Sequence, residues 1–221
     1  MSELCRRLHT IINEGRRFDY SMFSIESDAI PHNGIYIMFE KGEIGHEGDR
    51  IVRIGTHTGD KQLRSRIYQH FENKNKNRSM FRKNIGRCIL NKEHDPYLDT
   101  WNHDTTSKEN KERFYHDINK TLEAELEEEI SNYLQRNLTF CLLEVPGRKD
   151  RLDYEARLIG TVSRCMDCQP SNNWLGRFSP EDKIKKKGLW QVNQLSHDPL
   201  NTEEEFAFIS AHLIRHEGDE K

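Results

Sequence analysis

The sequence has little apolar material for its length. Hydrophobic residues make up 34% of the 221 residues, against roughly 45 to 50% in an average protein, and the mean hydropathy is -0.93. No apolar run approaches the roughly 18 residues of a membrane-spanning helix, and charges interrupt the first turns of the chain, so we expect neither a membrane span nor an export signal. Ten Phe, seven Tyr and three Trp can nucleate a core, which argues against disorder. One domain with elaborations is the expected organisation.

The cysteines are few and lack the spacing of a disulfide framework. There are five, Cys5, Cys88, Cys141, Cys165 and Cys168, and an odd number without regular spacing favours a reducing, cytoplasmic compartment. Cys165 and Cys168 form a Cys-x-x-Cys pair, but a structural zinc needs two further ligands and the sequence has no second pair of this kind. We therefore expect ordinary core or surface thiols, with a metal site as the minor alternative.

The sequence also lacks a large excess of positive or negative charge, since the formal net charge is only -3. This value argues against a uniformly basic, DNA-coating protein. The charges are nevertheless segregated: residues 61–87 carry nine Lys or Arg against one acid, Glu72, whereas acids dominate residues 123–129. The segregation predicts a face that attracts a polyanion. A merely solvated charged helix accounts for an isolated charge run about equally well.

Hydrophobic periodicity predicts a mixture of helices and strands. Helices are expected over residues 3–14, 61–72, about 80–90, about 122–134 with an acidic outer face, and 152–162; strands are expected over residues 34–39, 51–55 and 138–145. The polar segment over residues 95–115 has little periodicity and is interpreted as a loop or an insertion.

The first two predicted strands form a hairpin whose connection, residues 41–49, is polar and contains glycine. Such a connection is typical of hairpins with loops longer than the tightest turns. Pairing symmetric about Gly45 would place Tyr36 directly opposite Arg53. Because side chains alternate along a strand, both would then lie on one face of the sheet.

Three ionisable residues occupy core-facing positions of predicted helices. Arg66 and His70 lie on the apolar stripe of one helix, and Glu155 lies on the stripe of a later one. Arginine cannot lose its proton to escape the cost of desolvation, so these positions indicate a site with polar partners. The alternative is that the side chains lie at the edge of the stripe and reach solvent. Together with Tyr36, they form a candidate site for a metal and a phosphate.

The order of these residues resembles that of the GIY-YIG nuclease superfamily. The matching elements are Gly34-Ile35-Tyr36, Arg53-Ile54-Gly55, Leu63-x-x-Arg66-x-x-x-His70, Glu155 and Asn173. They span residues 34–173, although the segment from about 73 to 137 lies outside the minimal motif set. Arg53 stands where the family usually has a second tyrosine, and some restriction-enzyme-like members also carry a basic residue there.

The resemblance implies an α+β fold with a small three-stranded antiparallel sheet flanked by helices, a helical insertion and terminal helices. It divides the chain into an N-terminal helical extension over residues 1–30, a nuclease domain over residues 31–190 and a C-terminal extension over residues 191–221. The insertion is expected at about residues 73–137.

The resemblance also implies hydrolysis of DNA phosphodiester bonds with a divalent metal, Mg²⁺ or alternatively Mn²⁺. Glu155 would hold the metal, Tyr36 would act as the general base and Arg66 would clamp the scissile phosphate. A free phenol has a pKa of about 10 and needs a neighbouring cation to act as a base near neutral pH, and Arg53 is the candidate for that cation.

Two further residues have roles implied by the resemblance. His70 would form a hydrogen bond with Tyr36 or with the phosphate. Asn173 would orient the helix of Glu155 or a catalytic loop; Asn172 is the competing choice, and simple turn capping is an alternative for either.

The implied partner is double-stranded DNA, and a homodimer is left open. Basic residues of the insertion would contact phosphates that flank the cut; these are Lys74, Lys76, Arg78, Arg82, Lys83 and Arg87. Trp101 and His103 are candidates for reading bases from an exposed loop. Because the second tyrosine is missing, a non-catalytic nucleic-acid-binding module on the same fold is the alternative function. RNA as the substrate is not separable by sequence, since the phosphate chemistry is shared.

Overall fold

The computed structural model describes residues 1–25 and 29–216. Its four-stranded sheet is antiparallel throughout and has the strand order β1-β4-β2-β3. The strands are β1 (Phe18–Asp19), β2 (Gly34–Gly45), β3 (Gly48–Gly55) and β4 (Leu138–Glu144). The α+β class is confirmed, but the expectation of three strands is wrong by one. The additional strand β1 has only two residues, too few to produce an alternating pattern.

Ten helices surround this sheet in the described part of the chain. They are α1 (Ser2–Asn13), α2 (Tyr20–Ile25), α3 (Leu63–Phe71), α4 (Met80–Lys92), α5 (Tyr97–Trp101), α6 (Lys108–Arg113), α7 (Lys120–Asn137), α8 (Arg148–Ser163), α9 (Asp182–Lys187) and α10 (Glu203–His212), and a short 3-10 helix covers Leu175–Phe178. The segment 95–115, interpreted from the sequence as a loop or an insertion, contains α5 and α6, which are too short to show periodicity. No helix among these is both long enough and apolar enough to cross a membrane.

Two apolar clusters cover the two faces of the sheet. Along β2, Ile35 and Ile37 belong to the cluster that also contains apolar residues of α1, α8 and α10. Tyr36 and Met38 point to the opposite face, where apolar residues of α3, α4 and α7 pack. The alternation follows the period of two of a strand buried on both faces. Helices from both expected terminal extensions thus pack on the sheet, while the domain boundaries themselves stay a prediction.

The hairpin of β2 and β3 is tighter than expected. Only His46 and Glu47 separate the strands, and both have positive φ angles, of 52° and 69°, the conformation of a two-residue hairpin turn. The expected 41–49 connection is therefore wrong, because most of it is strand.

The pairing of the hairpin corrects the expectation for Arg53. Tyr36 pairs with Gly55 and Met38 pairs with Arg53, whereas the next residue of β2 pairs with Ile51. Val52 is therefore the extra residue of a β-bulge. Arg53 does not lie opposite Tyr36, but the two residues do lie on the same face, as expected.

Three of the nine cations in residues 61–87 are paired in space with acids of residues 123–129. Helix α7 brings its acids to the basic segment, where Lys74 pairs with Glu128, Lys76 with Glu123 and Arg82 with Glu127. The expected strongly basic face is therefore reduced by neutralisation.

Arg82 is the most deeply buried of these cations, with no exposed side-chain surface. Its Nε donates to Glu127 Oε2 at 2.9 Å, Nη1 donates to the carbonyl oxygen of His70 at 2.9 Å, and Nη2 donates to Ser131 Oγ at 2.9 Å. Since a buried charge is tolerated only with such partners, this guanidinium joins α3, α4 and α7.

We predict that Arg82→Ala lowers the free energy of unfolding by about 3 to 5 kcal/mol, because it leaves the Glu127 carboxylate buried without its partner. Urea denaturation followed by circular dichroism measures this change. The matched control is Arg78→Ala, on an exposed residue of the same basic segment, for which we expect a change within about 0.5 kcal/mol. Equal effects of the two substitutions would contradict the structural role of Arg82.

Candidate active site

Tyr36 and His70 form a hydrogen-bonded pair at the start of β2. Tyr36 Oη lies 2.8 Å from His70 Nε2, and His70 Nδ1 lies 2.8 Å from Ser79 Oγ. Both rings are fully buried. A Cβ atom at residue 55 would lie 2.2 Å from Tyr36 Oη, so only glycine leaves room for the phenol at the end of β3.

The environment of His70 keeps its ring neutral. Burial lowers the pKa of His70 well below its ordinary value, and the positive charges of Arg53, Arg66 and Arg82 lower it further. With the hydrogen on Nδ1 directed to Ser79, the lone pair of Nε2 faces the Tyr36 hydroxyl. In that tautomer His70 accepts a hydrogen bond from Tyr36.

Glu155 extends from α8 to the end of β3. Its Oε1 accepts a hydrogen bond from the backbone N–H of Thr56 at 3.0 Å. Burial raises the pKa of Glu155, while Arg53, this N–H group and Arg66 act in the opposite direction. Both arginines therefore lie close enough to influence the carboxylate as well as His70.

Arg53 is held by its surroundings on the Tyr36 face of the sheet. Its Nη1 donates to the carbonyl oxygen of Trp190, and its Cζ lies 4.6 Å from the centroid of the Phe81 ring. Its Nε is buried and has no hydrogen-bond partner within residues 1–25 and 29–216. The guanidinium thus keeps one buried donor without a partner among these residues, and its charge acts on both Glu155 and His70.

Arg66 is half-buried on α3. Its Nη1 donates to Gln69 Oε1 at 3.0 Å and lies 3.4 Å from the carbonyl oxygen of Arg78. These neutral partners orient the guanidinium but do not neutralise it, so its charge remains available at the site.

The structure brings five of the six predicted site residues together: Tyr36, Arg53, Arg66, His70 and Glu155. Asn173 lies elsewhere. Asn173 is exposed and lines a cavity of about 490 Å³ together with Glu40 and Tyr133. Glu40 follows Tyr36 along β2, so this cavity lies toward the other end of that strand. Asn172 is also exposed in this turn. The suggested positioning of Glu155 by either asparagine has no support in these contacts.

The six predicted DNA contacts are divided between surface and interior. Arg82 is fully buried and Lys76 and Lys83 are nearly so, hence these three do not form a solvent-facing surface. Burial, together with Arg87 and Lys76, lowers the pKa of Lys83 to about 8. Lys74 and Arg78 are exposed, and Arg87 is half-buried.

The two residues suggested for base reading, Trp101 and His103, both make contacts within the protein. Trp101 is fully buried, and its Nε1 donates to the carbonyl oxygen of Lys83 at 3.0 Å. His103 stacks on Phe114 with ring centroids 3.9 Å apart. The expectation of an exposed Trp101 is wrong because α5 packs it into the core.

The sequence analysis did not identify three residues that form hydrogen bonds with the site residues: Ser79, Thr56 and Trp190. Ser79, which contacts His70, also caps α4 by accepting a hydrogen bond from the Arg82 N–H. A serine before an apolar periodic segment is a helix-start signal, so its position could have been found, although its contact with His70 could not. Thr56 and Trp190 contact the site through backbone groups. Because these groups do not depend on the side chain, the residue type does not indicate the contact.

The chain was compared with family models, with curated proteins and with solved structures. A family model described as the GIY-YIG domain matches residues 2–211. The comparisons with curated proteins and with solved structures gave no match.

We predict that the stability of the protein depends on pH through His70. The unfolded imidazole takes up a proton below its ordinary pKa of about 6.5, whereas the buried ring does not, so acid favours unfolding by about 1.4 kcal/mol per pH unit for this group. In His70→Gln, the free energy of unfolding should fall less steeply from pH 6.5 to pH 5, by about 1.4 kcal/mol per pH unit. Urea titration at each pH measures this free energy. His32→Gln, at an exposed imidazole, should keep the slope of the unmodified protein, and identical slopes for all three would contradict the burial argument.

Proposed function

The chain belongs to the GIY-YIG domain family, a family of nucleases, and from this premise we propose that it is a divalent-metal-dependent endonuclease acting on DNA phosphodiester bonds. One observation carries the proposal: the Glu155 carboxylate and the guanidinium groups of Arg53 and Arg66 surround the hydrogen-bonded pair of Tyr36 and His70. An acid for a metal, cations for a phosphate and a proton acceptor are the groups that phosphodiester hydrolysis requires.

The chemistry of Glu155 fits a divalent ion. Oε1 accepts the Thr56 N–H, which leaves Oε2 as a ligand atom. Because burial raises the pKa of this carboxyl, a cation at Oε2 would offset the cost of its ionisation. Mg²⁺ commonly uses one or two carboxylates and completes its coordination with water and substrate phosphate, and Mn²⁺ is the alternative. When bound, such an ion polarises the phosphate and stabilises the leaving oxygen.

The proton of the attacking water passes in our proposal to Tyr36 and His70. The water gives its proton to Tyr36 Oη as its oxygen forms the new bond to phosphorus, and the phenolic proton moves to His70 Nε2, 2.8 Å away. Arg53 and Arg66 favour the neutral state of His70 before the reaction and stabilise the phosphate charge during it. Arg66 is the proposed phosphate clamp, and Arg53 supports it from the neighbouring strand.

Burial of Tyr36 adds a condition to this route. The side chain has no exposed surface, so the route requires that substrate binding uncovers Oη, which is consistent with catalytic contacts that form only in the complex. The same observation, together with Arg53 in place of a second tyrosine, favours the second candidate function, a non-catalytic nucleic-acid-binding module. The two functions differ in turnover alone, since both bind phosphates.

We predict that Glu155→Gln abolishes Mg²⁺-dependent nicking of plasmid DNA while DNA binding persists, because the substitution removes the metal ligand but keeps the shape of the side chain. Nicking is measured by gel electrophoresis and binding by fluorescence anisotropy at constant salt. The matched control on the same helix is Asp153→Asn, at an exposed acid, which should leave nicking unchanged. Full nicking by Glu155→Gln would contradict the metal assignment, and no cleavage by the unmodified protein with Mg²⁺ or Mn²⁺ would favour the binding module.

We predict that Arg66→Ala slows single-turnover cleavage at saturating DNA by about 10²- to 10³-fold, or about 2.7 to 4 kcal/mol of transition-state stabilisation, as expected for the loss of one electrostatic donor. Arg64→Ala, at an exposed position of the same helix, is the control and should keep the rate. If Arg66→Ala weakens DNA binding but leaves the saturated rate intact, the residue does not act as the clamp.

A further inference from the structure

Three thiols and one imidazole converge on a single point at the tip of the hairpin, on the opposite side of the fold from the candidate site's phenol. Cys5 lies on α1, His46 lies in the two-residue turn between β2 and β3, and Cys165 and Cys168 follow α8. One ligand atom from each residue lies within 4.8 Å of every other. All five cysteines of the chain are free, so these three thiols are available as ligands.

The distances fit a tetrahedral zinc site. With Zn–S of about 2.3 Å and Zn–N of about 2.0 to 2.1 Å, two sulfurs of a tetrahedron lie about 3.8 Å apart and a sulfur and a nitrogen lie about 3.6 Å apart. Cys5 Sγ and Cys168 Sγ are separated by 3.9 Å, and His46 Nε2 and Cys165 Sγ by 3.3 Å. The ion would therefore need only small side-chain adjustments.

A second histidine beside the cluster is already used by the backbone. His9 Nδ1 lies 2.9 Å from the carbonyl oxygen of Cys5, and His9 Nε2 accepts a hydrogen bond from the Ile51 N–H at 3.2 Å. Both ring nitrogens are thus engaged, which leaves His46 as the nitrogen ligand.

Local backbone geometry also brings the ligands together. A Cβ atom at residue 45 would lie 3.1 Å from Cys168 Sγ, so Gly45 allows the loop after α8 to approach the turn closely. The pair Cys165-x-x-Cys168 has the ligand spacing of structural zinc sites. Cys5, Cys165 and Cys168 are buried, whereas His46 is half-buried, an enclosed arrangement typical of structural rather than catalytic zinc.

We propose that Cys5, His46, Cys165 and Cys168 bind one structural Zn²⁺. Three sulfurs and one imidazole nitrogen select zinc over the harder Mg²⁺, which prefers oxygen. The ion would join α1, the hairpin turn and the end of α8. This site is independent of the proposed cleavage of DNA, because none of its ligands belongs to the candidate active site.

The test is the zinc content of untagged protein purified without chelator, measured by inductively coupled plasma mass spectrometry. We expect one Zn²⁺ per chain, and its loss in both His46→Ala and Cys168→Ser. Cys88→Ser is the matched control, since Cys88 is equally buried but lies in the other apolar cluster, and this variant should keep its zinc. Retention of zinc in both ligand variants would overturn the assignment.

A measurement on the unmodified protein covers the case in which the ligand variants do not fold. A mercurial reagent that titrates the thiols should release one equivalent of Zn²⁺ to a chromogenic chelator, and Co²⁺ in place of zinc should give the absorption bands of tetrahedral thiolate coordination. Two results would overturn the proposal. One is unmodified protein that holds no zinc even after incubation with Zn²⁺; the other is a disulfide between Cys5 and Cys168, detected by mass spectrometry of linked peptides.

Discussion

A guanidinium without access to solvent constrains the region around the candidate site. Arg82 cannot escape desolvation by losing its proton, so its burial is tolerated only if every donor direction meets an acceptor, and Glu127, Ser131 and the His70 carbonyl supply these. The ion pair of Arg82 and Glu127 therefore holds α4 against α7, and the hydrogen bond to the His70 carbonyl holds α4 against α3. Ser79, one turn earlier, binds the ring of His70. The geometry of the phenol and imidazole pair thus depends on Ser79 and Arg82, which are both fully buried.

Much of this arrangement could be predicted because it depends on local patterns. Apolar periodicity indicated the central strands and the long helices, and the same periodicity identified Arg66, His70 and Glu155 as ionisable residues on apolar stripes. Such residues need polar partners, so their positions in the sequence are enough to indicate a site. The two motif glycines are visible in the sequence, but their cause is a contact between strands, since a Cβ at Gly34 would lie 2.2 Å from the Leu143 carbonyl oxygen and one at Gly55 would meet the phenol.

The features that could not be predicted depend on contacts between distant segments. The basic run and the acidic run appear separate in the sequence, yet acids of α7 pair with three cations of the basic run. The thiol cluster combines positions 5, 46, 165 and 168, and its other two members are a histidine in a turn and a cysteine on the first helix rather than a second Cys-x-x-Cys pair. Trp101 was expected in an exposed loop because the short helix that buries it has no periodic signal.

The β-bulge at Val52 makes the candidate site depend on the length of its strand as well as on its chemistry. The bulge leaves the neighbours Val52 and Arg53 on the same face of the sheet, that of α3, α4 and α7, whereas Ile51 and Ile54 belong to the opposite cluster. Without the extra residue, period-two alternation would carry the segment before it to the other face. A gain or loss of one residue in this strand would exchange the two buried faces for the residues before Val52, so single-residue insertions and deletions here should be far rarer than substitutions.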